Sequence, residues 1–343
     1  MLKFCLNFCC SSTVVLCFYC NGAEKTIPNP HLSTELPRFP TDNKADLNGP
    51  LERFIQSTAS GKILSGTYGC VRDNGHRFHG GIDIKPLQRN RKGEPMDNVF
   101  ASLSGNVAYI NYREQDSTYG KYIIVEHKNG GLRFYTLYAH LSEINKQLKL
   151  NVFVKKGQIL GIMGHSSSSN IPKSRSHLHF EIGMRLGDDT NFEKWYKTQK
   201  FSTKNKHGCW NGMNLVGLNP LDFLRSQKSF AQFLKQQPIA FQLSVKTSKT
   251  PPFIISNPAL LKNPIPQKIL GWKISFNWVG CPILWEVLTK QPKKQIAIDY
   301  IDKNELFKHG NRHTVELCRN GAPFIGKILN RQLFELFGEL FKL

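Results

Sequence analysis

Short alternations of apolar and polar residues dominate the chain between about residues 63 and 224. Ile82-Asp83-Ile84 alternates after Gly80-Gly81, and Leu178, Phe180 and Ile182 alternate with His177, His179 and Glu181. A period of two marks a β-strand, with residues two or four apart on one face. Asn98–Ile110, Tyr122–His127, Leu132–His140, Gln158–Met163 and His177–Met184 read as strands, and Asn129-Gly130-Gly131 reads as a hairpin turn. Strands this short and frequent predict a mainly β fold, an antiparallel sheet or sandwich. Leu51 to Ser60 reads as a short helix, and Asn191–Gln199 as a helix on the sheet edge. Asn219-Pro220-Leu221-Asp222-Phe223-Leu224 reads as a capping turn and short terminal helix.

The pattern changes near residue 227. Gln237–Gln267 is Pro-rich and aperiodic, whereas Lys273–Phe276 and Ile283–Val287 flank Gly280-Cys281-Pro282 like a hairpin. Gln295–Tyr300 and Thr314–Cys318 read as further strands. Leu329–Leu343 places Leu333, Phe334, Phe337, Leu340 and Phe341 at helical spacing, for docking on that sheet or for a membrane surface or partner. These elements predict a smaller α+β module over 228–343. At the other end, Lys3 is the only charge before Glu24, Val14-Val15-Leu16-Cys17-Phe18-Tyr19 is apolar, and Asn21-Gly22-Ala23 offers a small residue for cleavage. Residues 1–23 therefore read as an export signal, 24–60 as a Pro-rich linker and 61–227 as the main β domain.

The 343 residues carry a formal net charge of +21, which points to an anionic partner: nucleic acid, a membrane surface or an acidic polymer such as a cell wall. Residues 228–343 hold 17 Lys/Arg against 7 Asp/Glu, so only about half of the excess lies there. An even spread favours general adhesion over a dedicated groove, and no basic–aromatic motif of the kind that reads bases is present. Beyond the first residues no apolar run is long enough to span a bilayer. Five of the nine cysteines fall in the leader, leaving Cys70, Cys209, Cys281 and Cys318. An even number in an oxidising compartment suggests one bridge in each half, Cys70 with Cys209 and Cys281 with Cys318; otherwise the four are small buried hydrophobes.

His79 and Asp83 share a strand face, as do His177 and His179. Two imidazoles and a carboxylate on adjacent strands suit a catalytic Zn²⁺ with one position open for water. A further histidine is then free for acid–base work. His140 closes the apolar run Phe134–Ala139 and would project from the end of a neighbouring strand. His31, His76, His127, His165, His207, His309 and His313 read as surface or hydrogen-bonded residues, and Glu181 as a structural carboxylate.

His79-Gly80-Gly81-Ile82-Asp83, Tyr138-Ala139-His140-Leu141, Lys156-Gly157-Gln158-Ile159-Leu160-Gly161 and His177-Leu178-His179-Phe180-Glu181 occur in that order. In this the segment from about Ser65 to Leu224 resembles the lysostaphin-like (LytM-type) zinc metallopeptidases of bacterial cell walls. The resemblance implies an antiparallel, duplicated-hybrid-motif-like β fold with an active-site groove. It also implies His79, Asp83 and His179 as ligands of one Zn²⁺ and His140 and His177 as the catalytic pair, without saying which is the base. Two departures stand out. The Ser-rich stretch from Gly164 to Ser176 is longer than the compact turn usual there, and Lys121 stands where many relatives carry Asn. Tyr68 and Tyr119 are the candidate oxyanion donors. The expected protein is an exported endopeptidase of the periplasm or cell envelope that cuts peptide cross-links of peptidoglycan. The alternative is a non-catalytic wall-binding relative that activates other hydrolases, although such relatives typically lack the zinc residues.

Overall fold

In a computed structural model, residues 35–43, 46–75, 77–307 and 336–337 are described. In chain order the strands are β1 (Gly69–Arg72), β2 (Arg77–His79), β3 (Ile82–Ile84), β4 (Asn98–Phe100), β5 (Gly105–Asn111), β6 (Tyr122–Asn129), β7 (Leu132–Ala139), β8 (Leu141–Ile144), β9 (Phe153–Val154), β10 (Ile159–Met163) and β11 (Leu178–Arg185). Helix α1 (Asp189–Thr198) precedes β12 (Leu215–Leu218), α2 (Pro220–Ser226) and α3 (Phe230–Lys235). Then come β13 (Phe241–Val245), α4 (Pro252–Ser256), β14 (Trp272–Phe276), β15 (Pro282–Val287), β16 (Ile296–Ile301) and α5 (Lys303–Phe307). The fold is mainly antiparallel β, as the alternating pattern predicts.

The central sheet runs β12-β11-β7-β6-β5-β9, with β3 also on β11. One edge of β11 is shared. Leu178–Phe180 pair with β3 and Ile182–Arg185 with β12, while β7 occupies the other edge. A second sheet, β4-β10-β8, lies against one face. Ile123, Val125, Tyr138 and Phe180 meet Val99, Leu160 and Met163 there in one buried cluster. The opposite face carries Glu181 and His179, so the period-two alternation separates an apolar core from a polar face.

The four-stranded sheet β15-β14-β13-β16 lies in the C-terminal part. Its Trp272, Ile274 and Trp285 share a buried cluster with Phe134, Met184 and Leu218 of the central sheet. Phe230 of α3 stacks on Phe134 with ring centroids 3.9 Å apart. Leu336 and Phe337 are buried, Phe337 lying 5.8 Å from Trp285 between ring centroids. Among the described residues no helix is long and apolar enough to cross a membrane.

Several expectations need correction. Residues 35–43 and 46–60, read as part of an extended linker, pack on the sheets: Phe54 and Ile55 are buried, Ile55 bridges Ile84, and Phe100 N donates to Pro40 O. Of the helix expected over 51–60, one 3-10 turn forms, Leu51–Arg53. Burial of Phe54 and the bond from Gln56 N to Asp83 O draw the following chain into an extended path. The strand expected over 98–110 breaks into β4 and β5, because Ser102 N turns to the Tyr138 hydroxyl. Cys209 and Cys281 are free thiols, raised to about 12 by burial, so the two expected bridges do not form. The export signal, the strand at Thr314–Cys318 and most of the Leu329–Leu343 helix lie outside the described residues, as do His31, His76, His309 and His313.

Candidate metal and catalytic centre

The centre is assembled by register. His179 in β11 sits directly opposite Asp83 in β3, which puts both side chains on one face. His79 ends β2, and the Gly80-Gly81 bend carries the chain from it into β3. A Cβ on Gly81 would stand 2.4 Å from the Phe180 carbonyl, so only glycine lets this bend press onto β11. His140 follows β7 with φ of +61°. This left-handed residue turns its ring off the strand end toward the other histidines.

His79 Nε2, Asp83 Oδ1 and His179 Nδ1 form a buried triangle with sides of 3.0, 3.1 and 3.1 Å. A triangle of that size has a point about 2.0–2.1 Å from all three corners, the length of a zinc–nitrogen or zinc–oxygen bond. The remaining nitrogens are already committed. His79 Nδ1 donates to Thr67 O at 2.7 Å, and His179 Nε2 donates to Glu181 Oε1 at 2.8 Å. With those protons placed, the two nitrogens inside the triangle offer lone pairs to each other and to a carboxylate. Only a proton or a cation reconciles three such donors. Two buried carboxylates, Asp83 and Glu181, face one guanidinium, Arg72, whose Nη2 lies 2.5 Å from Asp83 Oδ2. The donor set therefore fits a divalent cation in charge, chemistry and size.

The proton affinities agree. Burial would raise the Asp83 carboxyl, but His79, His177 and His179 hold it well below the usual range. Burial would likewise lower His179, yet hydrogen bonds to Asp83 and Glu181 push it up to about 9. The spot attracts positive charge. Burial, and then the neighbouring imidazoles His177 and His179, keep His140 well below its usual value; burial also lowers His177. Both are neutral near pH 7 and able to accept a proton.

His140 and His177 meet edge to face, their ring centroids 4.7 Å apart. His140 Nδ1 donates to Ser166 O at 2.8 Å and His177 Nδ1 to Arg175 O at 2.7 Å. Each keeps Nε2 as its basic nitrogen, and that of His177 lies 3.5 Å from Asp83 Oδ1. The five residues singled out from sequence thus converge. The two tyrosines considered as oxyanion donors are engaged elsewhere: Tyr68 donates to Gly217 O at 2.7 Å and Tyr119 to Glu181 Oε1 at 2.6 Å. Tyr135 also donates to Glu181, at 3.1 Å.

Two supports escaped the sequence reading. Arg72 reaches Asp83 from β1, and Ser166 both orients His140 through its carbonyl and accepts Lys121 N at its hydroxyl, 2.9 Å away. Lys121, the departure noted above, donates from Nζ to Ser142 O at 3.0 Å. The long Ser-rich loop is anchored to the opposite loop by Arg89, which donates to Lys173 O and Ser174 O, and by Glu94, which meets Lys173 and His165. His127 and His207 are hydrogen-bonded structural residues, to Ser104 and Thr136 and to Tyr109 and Asp116.

Residues 77–191 match the model of peptidase family M23. No curated protein matches the chain. Among solved structures it is similar to a mutant catalytic domain of the prophage-encoded M23 protein EnpA from Enterococcus faecalis, at 21% identity over 43% of this chain and 85% of that one, with a TM-score of 0.28. It is also similar to the catalytic domain of the antimicrobial peptidase lysostaphin from Staphylococcus simulans, at 21% identity, 51% and 95% coverage and a TM-score of 0.30. Against Csd3 from Helicobacter pylori, at 23% identity and a TM-score of 0.27, the likeness covers 44% of this chain and about a third (32%) of that one. The segment that matches peptidase family M23, 77–191, holds all five converging residues.

Proposed function

We propose that the protein is an exported, zinc-dependent endopeptidase that hydrolyses peptide cross-links of peptidoglycan. This reading is carried by the triangle of His79 Nε2, Asp83 Oδ1 and His179 Nδ1, three donors gathered round a common point at bonding distance that draws a positive charge. A zinc ion held there supplies Lewis acidity toward a water and a peptide carbonyl. Thr67 O and Glu181 fix the two imidazoles in the ligating tautomer, and Arg72 occupies Oδ2 of Asp83 so that Oδ1 alone faces the site. His140 and His177, neutral and held by the carbonyls of Ser166 and Arg175, each offer a free Nε2, one of which would take the proton of the water and pass it to the leaving amine. The match to peptidase family M23 supports peptidase chemistry; the apolar N-terminal stretch, the net charge and the family resemblance are what favour export and a peptidoglycan cross-link as substrate.

Cross-linked muropeptide dimers incubated with the zinc-loaded protein should appear as monomers by mass, and His177→Ala should leave them intact. Dimers that survive the zinc-loaded wild type, in a protein that still sediments with walls, would favour the non-catalytic activator instead.

A further inference from the structure

Among the described residues the segment after 227 supplies no donor to the centre, yet one of its turns packs on the hairpin that carries His79. Between β14 and β15, residues Asn277 to Cys281 close on themselves: Asn277 N donates to Cys281 O at 3.0 Å, Gly280 N to Asn277 O at 2.9 Å, and Cys281 N to Asn277 Oδ1 at 2.9 Å. Its base is fully buried at Phe276 and Cys281. Its tip bridges two cores, packing on the cluster of its own sheet and on a second one. Trp278 and Val279 pack into the apolar cluster of the M23 region that contains Tyr68, Ile82 and Phe180.

Trp278 stands edge-on to Tyr68, with centroids 6.0 Å apart, and lies 6.1 Å from Phe78, while Tyr68 and Phe78 are themselves 5.2 Å apart. A Cβ on Gly69 would lie 3.9 Å from the indole. These contacts all fall on the β1–β2 hairpin. Tyr68 leads into β1, and Phe78 directly precedes His79 on β2. That hairpin is a two-stranded sheet by itself, with an irregular register joining Gly69 to His79 and Arg72 to Arg77. Two strands alone are marginally stable in water. Yet the hairpin and the residue before Tyr68 carry His79, the Thr67 carbonyl that orients it, and the Arg72 guanidinium that holds Asp83.

We propose that Trp278 is a positioning residue: through it the 228–343 segment braces the β1–β2 hairpin and so sets the positions of His79 and Arg72. The brace acts on the metal site through the hairpin, not by contact with substrate or metal. It rests on the zinc reading above only for its consequence in metal affinity.

The test uses the full chain and two measurements. Zinc affinity is read by competition with a chromophoric chelator, and amide hydrogen exchange is read on the metal-free protein. Trp278→Ala should weaken zinc binding about tenfold, the lower end of what losing an outer support costs. It should also speed exchange across Gly69–His79 while leaving β7 and β11 unchanged. Trp278→Phe, which keeps a ring, should recover most of both. Should Trp278→Ala loosen the whole molecule, Trp278→Leu is measured by the same criteria, since it keeps apolar volume. Zinc affinity and hairpin exchange equal to wild type would overturn the brace and leave the metal reading intact. Faster hairpin exchange in a chain whose wild type binds no zinc would uphold the brace and overturn the metal reading.

Discussion

At the scale of single residues, the two halves of the histidine set separate by role. His79→Ala removes a corner of the triangle and should abolish both zinc binding and hydrolysis. His140→Ala and His177→Ala should leave bound zinc near stoichiometric while lowering kcat by about 10²–10⁴; metal analysis beside muropeptide assays checks all three. Full activity in His140→Ala would remove it from the pair. A different histidine contributes to pH stability. His127 is buried between Ser104 O and the Thr136 hydroxyl, and burial lowers it to about 4. Its folded value lies below the unfolded value of about 6.5, so the unfolded state binds more protons and stability falls as pH drops through that window. The loss approaches about 3 kcal/mol near pH 4. Urea titrations at pH 7 and 4.5 should show it, and His127→Gln should flatten the difference. A period of two in the sequence paired His177 with His179, and the family resemblance supplied the rest of the set; His79 and Asp83 share a face across the Gly80-Gly81 bend between β2 and β3 rather than along one strand. Arg72 and Ser166 were not legible, since their partners lie 11 and 26 positions away with no periodic signal joining them.

At the scale of elements, the turn before β6 holds His140 as much as β7 does. Gly120 has φ of +63°, and a Cβ there would stand 2.1 Å from Ser166 O, the acceptor for His140 Nδ1. Gly120→Ala should therefore displace Ser166, free the His140 ring and reduce kcat far more than KM. Muropeptide kinetics with thermal unfolding as a control read this, and a change confined to KM would argue against it. Strand identities followed from alternation, and the cap at Pro220–Ser226 from Asn219, whose side chain accepts Leu221 N at 3.1 Å. What alternation did not reveal was tertiary: β11 divides one edge between β3 and β12, and Ser102 ends β4 by turning to Tyr138. The short helix expected after Leu51 yields to burial of Phe54 and Ile55, a case of packing overriding local propensity.

At the scale of the whole molecule, the C-terminal sheet and the central sheet share one apolar cluster, which the composition shift near residue 227 did not foretell. The +21 charge is spread along the chain, so adhesion to an anionic wall should be electrostatic and screened by salt. The protein should sediment with insoluble peptidoglycan at low ionic strength and be released at about 0.5 M salt, where the screening length is only a few ångströms. Retention at high salt would point to specific contacts instead. The central claim is that a metal held by residues 79, 83 and 179 cuts peptide links, and digestion of purified wall tests it most directly. The zinc-loaded protein should release fragments whose masses show new peptide termini, release should stop on chelation, and added zinc should restore it. Release that persists after the metal is stripped, or none from the fully loaded protein, would contradict the account.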